Sequence, residues 1–392
     1  MALAVFGGVA ALVLVALPTH AGQSGPSPRQ IRHELAAAVT TSPGDGATSV
    51  PLDSPISVYT SLGRLRSVVV TDGAGQPVSG TLDPSDTTWT ATQPLAAGTT
   101  YRVDATVAGR SRVAATTVAS FTTVTPSAWV HATLWPDSGL SVGVGQPIVL
   151  TFDHPVTDPA ARAAVLSHLH LSMSSPVAVG AYWFSSTELH LRPESLWPSG
   201  EQISLSDSLD GWDAGGGNWG QGSDQVTFSI GDARISTANL ITHQMTVTDN
   251  GKVVATYPLS GGSDQYPTMG GVHIVMDRET QVRMVSSTVG IPVDSPGGYD
   301  EIVYWDVHIS DSGEYVHAAP WSVADQGNTN VSHGCINLSP ADAQQFYGFS
   351  RVGDIVDVVG SPRPPAPGDH GVMDWSTPWS SFTPIPVTPL PA

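Results

Sequence analysis

Cysteine is nearly missing from this chain: Cys335 is the only one in 392 residues. No intramolecular disulfide can form, and no cysteine stands at a lipobox position behind the apolar N-terminus, so a lipid-modified start is not expected. Basic residues are scarce too, 15 Lys and Arg against 34 Asp and Glu, for a net charge of −19. That balance excludes the basic surface a nucleic-acid partner needs and gives an acidic, soluble exterior. Only 12% of residues are charged, while 40% are hydrophobic, enough for packed cores. From about Val39 onward the first modules lack sustained helical periodicity. In its place stand 40 Gly, 32 Pro and recurrent Val and Thr, a composition of short strands and turns.

The length implies two to four domains. Residues 1–17 carry no charge and are nearly all apolar, and Thr19-His20-Ala21 offers small residues for cleavage. Residues 1–21 read as a signal peptide or a membrane anchor, so the chain is expected to be exported. Residues 22–38, polar and Pro-containing, read as a linker. Strands are expected at Pro55–Ser61, Arg66–Asp72, Thr99–Val107 and Val118–Thr123. Residues 39–124 then form one immunoglobulin-like sandwich. Residues 125–232 repeat the plan: "TWTATQPLAAGTTYRV" (Thr88–Val103) is echoed by "ELHLRPESLWPSGEQISL" (Glu188–Leu205). Neither module clusters chemical side chains, so both read as spacers. The histidines His131, His154, His168, His170 and His190 are scattered without ligand spacing, and no metal site is expected.

A third region runs from 233 to 361. Asp249-Asn250-Gly251 marks a hairpin turn. Strands are expected at Val272–Arg278, Tyr304–Ser310, Glu314–His317 and Asp354–Gly360. Ser339–Ser350 is the clearest helix, with Ser339 as its cap and Pro340 in the first turn. The tail, 362–392, is Pro-rich but holds Trp375, Trp379 and Phe382. Those aromatics are expected to anchor a short tail helix, with the last residues loose. The fold class is therefore mainly β.

In an oxidising compartment a lone thiol is buried and inert, bridged to another chain, or reactive. The surroundings favour the third. A thiol needs a base to become a nucleophile, because its ordinary pKa of about 8.5 leaves few thiolates at neutral pH. His317 lies at the end of an expected strand, where its ring can be aimed rigidly. His333 is two residues before the thiol. Gly334 permits a close backbone approach and can turn N–H groups toward an oxyanion.

The run "HAAPWSVADQGNTNVSHGCIN", His317–Asn337, closely resembles the signature of the L,D-transpeptidase (YkuD) catalytic domain: a His, a gap, then Ser/Thr-His-Gly-Cys-x-Asn. The likeness covers about 233–361. Two immunoglobulin-like modules ahead and a Trp-containing tail match the layout of mycobacterial and actinobacterial members. The resemblance implies a cysteine acyltransferase that uses no cofactor. Cys335 would attack the bond before the fourth-position D-Ala of a peptidoglycan stem tetrapeptide, and a second stem's side-chain amine would resolve the thioester into a 3→3 cross-link. It implies His317 as general base and Ser332, His333, Gly334 and Asn337 as shapers of the nucleophile loop. The Gly334 and Cys335 N–H groups would be oxyanion donors. Tyr299, Met284 and Trp321 would line the substrate channel, and carbapenem β-lactams would be covalent inhibitors.

Two positions depart from the pattern. Ala318 replaces a frequent Ser, harmless only if the base is oriented by a backbone carbonyl. Val289 stands where some relatives carry a lid tyrosine. An L,D-carboxypeptidase, with water as acceptor, is the nearest alternative, alongside other envelope cysteine acyltransferases. A papain-like hydrolase is disfavoured because here His precedes Cys. A non-catalytic cell-wall-binding protein is disfavoured by the intact His317–Cys335 pair.

Overall fold

The structure, a computed structural model, describes residues 25–109 and 112–391. The apolar segment 1–21 lies outside the described residues. The chain divides into two compact units, one holding Ser54–Val124 with the residues up to Val50, the other Pro51–Asp53 with Thr125–Ala392.

The first unit is a sandwich of two four-stranded sheets. One orders Val39–Ser42, Ser57–Thr60, Thr88–Ala91 and Gly80–Leu82; the other orders Ala47–Val50, Ala114–Thr123, Thr100–Ala108 and Arg64–Thr71. Alternate residues of the long strands point inward, as period-two patterning requires. Tyr101 stacks on Phe121 at 5.3 Å inside this core. The linker reading of 22–38 is corrected here: Pro28–Ala37 is an α-helix. Ser27 and Gln30 form a reciprocal capping box, Pro28 takes the first turn, and Leu35 is 1% exposed against Val107 and Ala115.

In the second unit another sandwich packs directly on the third region. Its sheets are built on Ala132–Trp135, Ile148–Phe152, Glu188–Pro193 and Val179–Trp183, and on Ser141–Val142, Gln225–Ile230, Gln202–Asp207 and Leu169–Met173. The contact with the third region is backbone on backbone. Gly143 N donates to Val352 O at 2.7 Å, and a Cβ on Gly143 would fall 2.1 Å from Asp354 N. Only glycine permits that approach.

The tail also departs from expectation. Its last residues are not loose. Thr383–Ile385 pairs antiparallel with Val179–Ala181, and Val387–Pro389 pairs parallel with Leu171–Met173. One short segment thus adds an edge strand to each sheet of the second sandwich. The helix is only Met373–Ser376. Trp375, Trp379 and Phe382 surround the buried guanidinium of Arg192, with ring centroids 4.7, 5.4 and 4.3 Å away. Cation–π contact and edge pairing together fix the tail. Phe382 is 5% exposed, so Phe382→Ala is expected to cost about 3–5 kcal/mol. Urea unfolding checks this; a loss under about 1 kcal/mol would show that the tail is not part of the folded unit.

The third region has two sheets sharing one core. The first orders Lys252–Pro258, Gln244–Asp249, Arg234–Asn239, Ile355–Val359 and Gly271–Ile274. Its opening hairpin turns at Asn250 and Gly251, with φ +48° and +78°, the pair of left-handed residues such turns need. The second orders Asp277–Val285, Asp300–Ser310, Glu314–Ala318 and Ile336–Leu338. The helix Pro340–Phe349, capped by Ser339, buries Ala343 and Phe346 in the shared core. The second sheet carries the candidate site.

Candidate active site

Two parallel strands set the geometry. Glu314–Ala318 pairs with Ile336–Leu338 so that His317 is in register with Asn337. Cys335 precedes the second strand by one residue and is brought level with the first. Val316 and Ala318 face the core, and the intervening His317 faces a cavity of about 230 Å³. That cavity is lined by Cys335, His317, Ser332, His333, Asn337, Tyr299, Met284 and Trp321, eight of the nine residues singled out from the sequence. Gly334, the ninth, is buried behind it.

The loop before Cys335 is held from within. Ser332 Oγ donates to Cys335 O and accepts from Gly334 N at 3.1 Å. That second bond corrects one expectation: the Gly334 N–H is occupied inside the loop, which leaves the Cys335 N–H as the remaining oxyanion donor of the two. Gly334 has φ +133°, and a Cβ there would lie 3.2 Å from Glu314 Oε1. The motif glycine is needed for both its backbone angle and its close contact. Asn337 Nδ2 donates to Ser322 Oγ at 3.0 Å and ties the strand to the turn bearing Trp321. Trp321 is exposed, with its ring 6.0 Å from that of His317. His333 lies against Tyr266 at 4.8 Å and Tyr299 at 5.3 Å.

His317, the candidate base, is oriented by backbone. His317 Nδ1 lies 3.0 Å from Ala318 O. A carbonyl can only accept, so Nδ1 carries the proton and Nε2 is left as the acceptor. Ala318 in place of Ser therefore takes nothing from the orientation. Burial pushes His317 down to about 4, so it is neutral near pH 7. Burial also pushes the Cys335 thiol up to about 12, with Glu314 and Asp306 adding to the rise against a Tyr315 backbone hydrogen bond. The thiol is positioned to donate to Gly313 O, with Sγ 3.7 Å away. The resting pair is thus neutral thiol and neutral imidazole, not a preformed ion pair. Such a pair can act as nucleophile and base only if proton transfer accompanies attack.

Two buried carboxyls near the thiol were missed in the sequence. Glu314 is 3% exposed, receives Met269 N–H at 3.0 Å and Arg363 Nη1 at 2.6 Å, and is pushed up to about 7 chiefly by burial. Its alternation with Val316 and Ala318 was the available signal, since period two puts it on the buried face. Asp306 is 1% exposed, and neither carboxyl oxygen has a hydrogen-bond partner among the described residues. Burial, then Glu279, push it up to about 7, against a weaker pull from the Val282 backbone N–H. The folded protein therefore holds a proton that the unfolded chain releases between about pH 4 and 7. The cost of burying the charge is absent below that window and fully present above it. Asp306→Asn is expected to stabilise the protein by about 2–4 kcal/mol at pH 8 and to leave it nearly unchanged at pH 4. Denaturant titrations at the two pH values check this; destabilisation at pH 8 would contradict it.

Family models match the chain in two places, a bacterial Ig domain over residues 47–213 and an L,D-transpeptidase catalytic domain over residues 233–358. The chain is 39% identical over 348 residues to L,D-transpeptidase 2 of Mycobacterium tuberculosis (strain CDC 1551 / Oshkosh), covering 89% of this chain and 84% of that protein. It is similar to the solved structure of the LD transpeptidase LdtMt1 in complex with imipenem, with TM-score 0.52 and 37% identity, over 60% of this chain and 99% of the other. It is also similar to L,D-transpeptidase 3 from Mycobacterium tuberculosis in complex with a faropenem-derived adduct, with TM-score 0.50 and 33% identity, over 58% of this chain and 96% of the other.

Proposed function

The chain belongs to the L,D-transpeptidase family of peptidoglycan cross-linking acyltransferases, and from that premise we propose that it forms 3→3 cross-links through a thioester carried on Cys335. One observation supports this reading above the others: the single thiol and a backbone-oriented, neutral His317 line the same cavity.

The chemistry follows from those two groups. A stem tetrapeptide enters with the carbonyl of its third residue over Cys335. His317 Nε2 takes the thiol proton as sulfur attacks, and the Cys335 N–H donates to the developing oxyanion. The C–N bond breaks, the imidazolium gives its proton to the leaving amine of D-Ala, and the acyl group remains on sulfur. The side-chain amine of a second stem's third residue then attacks the thioester, losing its proton to His317. The C–S bond breaks, sulfur regains the proton, and the cross-link is released. Ser332, Gly334 and Asn337 hold the loop in shape; Tyr299, Met284, Trp321 and His333 form the walls. By the same chemistry, carbapenems acylate Cys335. The apolar residues 1–21 direct the chain out of the cytoplasm, and the two sandwiches act as spacers in the envelope.

The test is to incubate the protein with disaccharide-tetrapeptide and identify products by mass spectrometry. A dimer joined between third residues, with one equivalent of D-alanine released, is the expected result. Release of D-alanine without dimer would reassign the protein as an L,D-carboxypeptidase. No reaction would leave a cell-wall-binding role.

A further inference from the structure

A second and larger cavity, of about 470 Å³, also opens on Cys335. It shares Tyr299 and His333 with the first cavity and adds Gly313, Asp311 and Arg363. In a chain with 15 basic residues and a net charge of −19, a guanidinium in the wall beside the only thiol calls for an explanation. Apart from His333, Arg363 is the one basic side chain lining this cavity among the described residues.

Its placement is rigid. Arg363 N donates to Ser361 Oγ at 3.1 Å, and Arg363 O accepts from Gly270 N at 2.8 Å. Both side-chain hydrogen bonds leave from Nη1, to Glu314 Oε1 at 2.6 Å and to Pro267 O at 3.4 Å. Among the described residues nothing takes up the edge bearing Nε and Nη2, and the side chain is 36% exposed. That edge is the fork that grips a carboxylate with two parallel hydrogen bonds. The other acid in the wall does not compete for it. Asp311 is engaged by the ring and the backbone N–H of His370. Glu314 lies below, buried, and also accepts Met269 N–H. Burial raises Glu314 to about 7, so near neutral pH it is only about half ionised and cancels the positive charge of Arg363 only in part.

We propose that Arg363 binds a carboxylate of the stem peptide in this second cavity and so selects substrates by the charge they carry there. The inference rests on the function proposed above. Two stems meet at Cys335, and either could supply the group: the terminal D-residue of the donor or a carboxylate of the acceptor. Arg363 is a specificity residue in this account, and it takes no part in bond making.

The experiment measures kcat/KM with four substrate pairs, in which donor or acceptor carries a free carboxylate or its carboxamide. In the arm that supplies the ligand, amidation is expected to cost the unmodified protein about ten- to hundredfold, the size of one charge-assisted contact. Arg363→Gln is expected to abolish that discrimination, by losing rate on the acid and not on the amide. Arg363→Lys, a point charge without the fork, is expected to retain part of it. Glu314→Gln is expected to keep the discrimination, because Arg363 is still present. Should Arg363→Gln fold poorly by thermal melting, the double variant Arg363→Gln/Glu314→Gln removes the stranded buried charge and carries the same expectation. Equal losses on acid and amide in Arg363→Gln would overturn the inference and make Arg363 a purely structural partner of Glu314. So would an unmodified protein indifferent to amidation in both arms. Absence of any product from the unmodified protein defeats the proposed function itself, and this inference with it.

Discussion

Cys335→Ala is expected to fold normally and to form no adduct with imipenem. The thiol's contacts with backbone are weak, with Sγ 3.7 Å from Gly313 O, so its loss costs little stability. Chemically the loss is complete, because no second cysteine exists to substitute for it. Intact-mass spectrometry of the unmodified protein should show one imipenem equivalent, and the variant none. An adduct that persists in Cys335→Ala would move the nucleophile elsewhere and remove the basis of the thioester mechanism.

His317→Ala is expected to lower the acylation rate by about 10²–10⁴-fold, the usual worth of a positioned general base. The thiol is held near pKa 12 by burial, so without a base almost no thiolate forms at neutral pH. The pH profile offers an independent reading. His317 is lowered to about 4, and it accepts a proton only while neutral. Acylation by the unmodified protein should therefore fall as pH drops through about 4 and hold level through neutrality, provided that the fold survives. A rate that instead rises through pH 6–7, as an unperturbed histidine titrates, would contradict a buried neutral base. Stopped-flow mixing with a chromogenic β-lactam measures both effects.

The site was legible to the extent that its chemistry is local in sequence. His317, Ser332, His333, Gly334, Cys335 and Asn337 fall within 21 residues, and two parallel strands bring them together. The hairpin at Asn250–Gly251 and the helix capped by Ser339 were readable for the same reason, since turn and cap chemistry acts over a few residues. The helix Pro28–Ala37 could also have been read. Ser27, Pro28 and Gln30 spell a capping box with Pro in the first turn, but surrounding polar residues suggested a linker. The tail could not have been read. Nothing in "FTPIPVTPLP" announces that its strands join others more than 200 positions earlier, because edge pairing depends on which edges the fold leaves open. The Glu314–Arg363 pair was hidden in the same way: its partners are 49 residues apart and meet only across the folded loop.

The measurement closest to the central claim is to mix the unmodified protein with a stem tetrapeptide, quench at early times and map the adduct by peptide mass spectrometry. The account predicts an acyl group equal to the stem without its terminal D-alanine, bound to the peptide containing Cys335 and discharged when an acceptor stem is added. Turnover into cross-linked dimer with no adduct at Cys335, or an adduct on any other residue, would contradict it.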